Sequence, residues 1–225
     1  MFLFDSTFVL LIPAIILMLY AQWKVSSTFN KYSQVGTARG ITGAQVAHDI
    51  LRAYGEPIAI EQIAGSMTDH YDPRARVLRL STTVFGSSSV AAIGVAAHEA
   101  GHALQHQAKY APMYLRSAIV PIAGFGSNLA PFLFLAGFFF HFGFLMQLAI
   151  IFYSCAVLFT LVTLPVEFNA SSRALRILGG TGYLNDSELA GAKKVLSAAA
   201  LTYVAATAMS VLELLRMILL SRGRD

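Results

Sequence analysis

Apolar residues come along this chain in long blocks, separated by one extended polar-and-mixed stretch. Phe8 to Trp23 is broken only by Pro13 and Gln22, and Met1 to Phe4 can extend it. At about 16 to 22 residues the block just reaches across the roughly 30 Å of bilayer hydrocarbon. A cleavable leader is the rival reading. Ahead of the block, however, stand Asp5 and no Lys or Arg, and no small-x-small cleavage pattern appears around Tyr20, Ala21 and Gln22. The block reads as a retained anchor. Ser117 to Val166 has no Asp, Glu, Lys or Arg over 50 residues. That suits two spans of about 23 to 25 residues, with the break at His141, between Phe140 and Phe142 and before Gly143. Val195 to Leu212 is free of charge for 18 residues and then meets Glu213 and Arg216, which are three apart and can neutralise each other. It reads as a fourth span or as an amphipathic helix lying on the membrane surface.

The stretch from Lys24 to Arg116 has the signals of a folded domain. Thr42-Gly43-Ala44-Gln45 is a capping box, and Val46, Ala47, Ile50, Leu51 and Tyr54 share one helical face before Gly55 stops the helix. Ile58 to Ile63 predicts a short strand. Asp72-Pro73 supplies a turn before a second strand over Arg76–Ser81. One of Ser87, Ser88 and Ser89 caps a second helix that continues to about Gln107.

Composition narrows the class. The chain is 56% hydrophobic and only 12% charged, about half the charge of an ordinary soluble domain. Cys155 is the single cysteine, so no intrachain disulfide framework exists. The net charge of +4 is carried by dispersed basic residues, which on so apolar a chain mark membrane topology and not a nucleic-acid partner. No Lys or Arg precedes the first block, whereas Lys24, Lys31 and Arg39 follow it. Lys109 and Arg116 precede the second block; Arg173, Arg176, Lys193 and Lys194 follow the third. The positive-inside rule then puts Lys24–Arg116 and Glu167–Lys194 in the cytoplasm. Arg222 and Arg224 argue mildly against a fourth complete crossing.

Within the second helix stands His98-Glu99-Ala100-Gly101-His102, an H-E-x-x-H pattern. Residues four apart on a helix point the same way, so His98 and His102 can present two imidazoles to one metal ion. Glu99 projects about 100° further round, where it reaches a water on that metal without being a ligand. Two neutral imidazoles and a carboxylate suit zinc, with the fourth position left open. For the third ligand, an extended metzincin pattern needs His at 108, which is Ala108. His106 is badly placed on a third successive turn and reads as a polar-face or supporting residue. An intramembrane site-2-type protease needs a distant Asp-Gly, and the chain has none. The acids beyond His102 are Glu167, Asp186, Glu188, Glu213 and Asp225. Asp186 and Glu188 read as helix N-terminal dipole partners. Glu167 ends the third apolar block, and two spans between it and His102 return it to the same membrane face. Its other reading is an interfacial carboxylate at a helix end.

The chain resembles the YugP-type neutral zinc metallopeptidases, a family of bacterial membrane proteins. The resemblance covers nearly the whole chain. It rests on Thr68–Arg74, Gly94–Ala103, Tyr110-Ala111-Pro112 and Glu167–Ser171. More distantly the chain is similar to the HtpX and CAAX prenyl membrane peptidases, where an Asp four residues after the ligand Glu orients a ligand His. Here that position is Ser171, so Asn169 or Ser171 is expected to substitute.

The resemblance implies a gluzincin-like peptidase: zinc on His98, His102 and Glu167, with Glu99 as general base. The expected fold is a mainly α membrane protein of three to four transmembrane helices with a small α+β peptidase domain on the cytoplasmic face. Its expected parts are an anchor (1–23), a catalytic region (24–117), a transmembrane hairpin (118–166), a cytoplasmic helix with the third ligand (167–194) and a C-terminal transmembrane or interfacial helix (195–225). Val77, Leu78, Arg79, Leu80 and Ser81 are expected to form an edge strand that binds peptide or protein substrate as an added strand. His70, Tyr71 and Arg173 are candidates for the oxyanion partner; His48 and His141 carry no assigned role. An inactive zinc-binding scaffold is the alternative, disfavoured because it has no need of Glu99. A metal transporter would place His and acids in mid-span, whereas the runs from Ser117 to Val166 have only His141, at their polar break.

Overall fold

The computed structural model describes residues 6–222. Met1 to Asp5, Arg224 and Asp225, used above, lie outside the described residues. A 3₁₀ turn over Ser6–Leu11 leads into α1 (Ile12–Ser33), followed by α2 (Gly43–Ala53), β1 (Ala59–Ile63), β2 (His70–Asp72), β3 (Val77–Ser81) and the short α3 (Thr82–Phe85). Then come α4 (Val90–Gln107), α5 (Ala111–Phe139), α6 (Gly143–Gly180) and α7 (Asp186–Arg222). Among the described residues four helical stretches are long and apolar enough to cross a membrane: Thr7–Ser33, Ala111–Phe139, Gly143–Gly180 and Asp186–Arg222. The chain is a multi-pass membrane protein. The charge-free run Val195–Leu212 is the middle of the 37-residue α7. The expected break at His141 is a turn, with His141 itself at φ +55°. The segment expected as a separate helix over 167–194 is instead the end of α6, a short turn and the start of α7.

The chain divides into two compact units. The first comprises Met1–Gln22, Tyr114–Pro165 and Thr202–Asp225. Its buried cluster is Ala130, Phe134, Met146, Ala149 and Met217. Here small residues let backbones meet, as is usual where lipid supplies no hydrophobic drive: a Cβ on Gly126 would stand 2.7 Å from the Phe152 carbonyl oxygen. Arg216 donates to Glu213 at 3.3 Å, so these two charges offset each other.

The second unit, Trp23–Met113 with Val166–Leu201, carries the sheet and α4. The capping box forms as read: the Thr42 side chain accepts from the Gln45 N–H, and the Gln45 side chain accepts from the Thr42 N–H. Val46, Ala47, Ile50 and Leu51 are the buried face of α2. Ser89 is the residue that caps α4, accepting from the Ala92 N–H at 3.2 Å. The Ala- and Gly-rich surface of α4 lets other elements close on it from nearly all sides, and most of its residues are buried. The closest approach is at Gly101. A Cβ there would stand 2.8 Å from the backbone oxygen of Ala170.

The strand order is β1-β3-β2, with β3 parallel to β1 and antiparallel to β2. This corrects the expected substrate strand. Val77–Ser81 is the central strand, paired with β1 along its length and with β2 over Val77–Arg79, and the side chains of Leu78, Leu80 and Ser81 are fully buried. The missed element is β2, three residues long and too short to show an alternation. Its hairpin to β3 is built by Asp72, whose Oδ1 accepts from the Arg74 and Ala75 N–H groups at 2.9 and 3.1 Å. Arg79 also donates to the Asp72 carboxylate at 2.8 Å and holds it down to about 2.

Because the Ala170 backbone cannot yield as a side-chain tip could, Gly101→Ala is expected to destabilise the folded protein by about 1–3 kcal/mol. Gly86→Ala, with nothing within 4 Å of the new Cβ, should stay within about 0.5 kcal/mol of wild type. Thermal unfolding of the two purified variants in detergent checks this.

Candidate metal centre

Gly101 matters because of what its neighbours carry. Close packing of α4 against α6 at Gly101 and Ala170 brings His98 and His102, one turn apart on α4, against Glu167 of α6. The three side chains have ligand atoms that all lie within 4.8 Å of one another. The two Nε2 atoms are 3.1 Å apart, and Oε2 of Glu167 is 3.3 Å from His98 Nε2 and 3.5 Å from His102 Nε2. All three belong to the second unit. Glu167 is 2% exposed and His102 7%, so solvent does little to relieve the charge gathered there.

The hydrogen-bond network orients both rings. Gln105, fully buried, donates its amide N–H groups to the Val166 carbonyl at 2.8 Å and to Asn169 Oδ1 at 3.0 Å. That leaves its amide oxygen to face His102 Nδ1 at 3.0 Å. An acceptor there assigns the proton to Nδ1 and turns the Nε2 lone pair toward the cluster. Ser171 Oγ stands 3.1 Å from His98 Nδ1 and can do the same for that ring. Arg173 donates from Nε to Asn169 at 2.8 Å and so braces the residue that braces Gln105. Such partners of the outer ring nitrogens normally set the tautomer of a ligating His.

Two lone pairs and a carboxylate turned onto one point repel one another unless a cation sits among them. A tetrahedral ion with bonds of about 2.0–2.1 Å holds its ligand atoms about 3.3–3.4 Å apart. The separations of 3.1, 3.3 and 3.5 Å match that spacing, and the nitrogen and oxygen donors fit zinc. Titration points the same way. Burial disfavours a charged His102 ring, but the Glu167 hydrogen bond, the charges of Glu99 and Glu167 and the Gln105 contact together outweigh it and raise its pKa. The site draws positive charge.

Glu99 is buried on the next position of α4, and its Oε2 accepts the Tyr71 N–H at 3.1 Å. The Tyr71 hydroxyl in turn meets His106 Nδ1 at 2.8 Å. His106 thus supports Tyr71 and stands outside the three-ligand group. His70 is exposed, its Nδ1 against the Thr68 carbonyl at 2.8 Å. His48 lies beside Asp49 on α2, and Arg173 is engaged with Asn169. The residue that sequence reasoning missed is Gln105. Its signal was its position: three residues after a candidate ligand His, it shares that face of the helix.

A His pair and a carboxylate with ligand atoms this close, in a chain with four helices among its described residues able to cross a bilayer, define a candidate metal site in a membrane protein. The chain belongs to the zinc metallopeptidase family described as "Putative neutral zinc metallopeptidase", which matches residues 7–222. It is 50% identical over 218 residues to "Putative membrane protease YugP" of Bacillus subtilis (strain 168), covering 96% of this chain and 97% of that protein. No solved structure matches it. Zinc is the metal of this family.

If Gln105 and Ser171 orient the rings as described, Gln105→Leu and Ser171→Ala should each weaken zinc binding by about 10–100-fold. Competition with a chelator of known zinc affinity measures it.

Proposed function

We propose that this protein is a zinc-dependent endopeptidase in which His98, His102 and Glu167 hold the metal and Glu99 is the general base. The observation that carries this reading is the convergence of both Nε2 atoms and the Glu167 carboxylate on one point, with Glu99 beside it on the same helix. His98, His102 and Glu167 would hold zinc at that point, where it would lower the pKa of a water to about 7 and polarise the scissile carbonyl. The chain's own residues do the rest. Ser171 and Gln105 aim the His98 and His102 rings. Glu99, held by the Tyr71 N–H, takes the proton of the attacking water and hands it to the leaving amine. This two-His, one-Glu arrangement on two helices is the gluzincin-like type.

Tyr71 is a positioning residue. Its N–H fixes the Glu99 carboxylate and its hydroxyl reaches the last turn of α4. Since β3 is central, any peptide substrate that adds to the sheet does so at an outer strand, and β2 is the one whose N–H meets Glu99. The substrate class is a peptide or protein. A zinc-binding scaffold without activity has no use for a buried carboxylate held beside the metal point, which favours the enzyme.

The active site is assigned to the cytoplasmic side, on the weight of Lys and Arg in Lys24–Arg116 and Glu167–Lys194. In a Cys155→Ser background, a cysteine introduced at exposed Ser187 should react with a membrane-impermeant thiol reagent in inside-out vesicles and stay unlabelled in right-side-out ones. The reverse pattern contradicts the orientation.

Glu99→Gln is expected to keep stoichiometric zinc while peptide cleavage falls by at least about 10²-fold, the low end of what one proton-transferring group contributes. Glu167→Ala is expected to lose most of the zinc. Metal analysis and cleavage of an unstructured protein substrate by the purified full chain read both out. Undiminished cleavage in the first, or full zinc in the second, overturns the corresponding role.

A further inference from the structure

Positive charge gathers in the second unit at a place that shares no residue with the metal point. A cavity of about 760 Å³ opens between α1 and α7, and Lys24, Lys31, Lys193 and Lys194 all line it. The chain has five lysines in all, the fifth being Lys109, so four of the five converge on one hollow. No carboxylate lines it, and Ser27 and Ser197 add hydroxyls to its wall. Among the described residues none of the four lysines has a carboxylate partner. Lys31 instead stands over the Tyr32 ring, 5.7 Å from its centroid.

The hollow is built by close packing. A Cβ on Gly191 would come within 2.7 Å of the Tyr32 ring, so only glycine lets the two helices meet as they do. Four like charges gathered without a counter-charge repel one another, and the positive-inside rule asks only for their side of the membrane, not for one cavity. Convergence of this kind calls for an anion.

Position selects the anion. Lys24 directly follows the first apolar block, and Lys193 and Lys194 directly precede the charge-free run Val195–Leu212. Both helices run from the cavity into their apolar blocks, an arrangement that puts the lysines at head-group depth when those blocks cross a bilayer. Apolar wall residues Ala198 and Leu201 continue in that direction. We propose that this cavity binds the phosphate-bearing head group of an anionic phospholipid, with the four lysines as its recognition elements. Basic pockets between membrane helices commonly take such head groups. The site shares no residue with the metal point, so it stands whether or not the peptidase reading does.

The test uses the delipidated full-length protein in neutral detergent, titrated separately with phosphatidylglycerol, phosphatidylcholine and inorganic phosphate, with bound ligand counted by mass spectrometry of the intact complex. Phosphatidylglycerol is expected to bind at least about tenfold more tightly than phosphatidylcholine. Each lysine near the surface contributes about fivefold, so K193Q/K194Q should weaken phosphatidylglycerol by at least about tenfold, while Lys109→Gln, outside the cavity, leaves it unchanged. Zinc content and helicity by circular dichroism show that the variants are folded. Should K193Q/K194Q not purify, K24Q and K31Q separately carry the same expectation of about fivefold each. Equal affinity for the two lipids, no loss in the lysine variants, or saturation by inorganic phosphate with no lipid preference overturns the proposal.

Discussion

Two imidazole lone pairs and a carboxylate aimed at the same point form the constraint on which the rest of this structure depends. Left alone, such a group is repulsive, and the protein holds it in place with packing and hydrogen bonds of no other evident use. Gly101 lets the α4 backbone come against Ala170 of α6, which sets the distance from the His pair to Glu167. Gln105, held by Val166 and Asn169, and Ser171 then fix which nitrogen of each ring faces inward. The arrangement is costly without a cation and natural with one. That is why the geometry and the family's zinc chemistry agree.

Much of this was legible in the sequence because the signals were local. A capping box, an Ser-capped Ala-rich helix and two His one turn apart each follow from spacing within a single element. Glu167 was legible for a different reason: with only five acids beyond His102, topology could choose among them. What stayed hidden depends on contacts between elements. Gln105 looks like any polar helix residue until α6 covers it, and only then does its amide become the anchor of His102. Strand β2 is three residues long, so no period announces it. Missing it made Val77–Ser81 look like an edge when that strand is the middle of the sheet. Ser171 stands where distant relatives have an Asp, and its hydroxyl lies 3.1 Å from His98 Nδ1.

The apolar blocks do more than anchor. The chain must leave the α4 region, pass through α5 and return along α6 before Glu167 is available, so the metal point is closed by residues 65 positions apart in sequence (167 minus 102). The same long helices also bring four lysines together between α1 and α7. Catalytic chemistry and lipid recognition would then be two products of one device, helices that continue past the apolar blocks into the folded region.

The most direct test of the central claim is X-ray absorption at the zinc edge of the purified, zinc-loaded protein. The account predicts a four-coordinate shell of nitrogen and oxygen at about 2.0–2.1 Å with no sulfur, and outer-shell scattering from two imidazoles. A third imidazole, which would bring in His106 or His70, or a six-coordinate oxygen shell would contradict it.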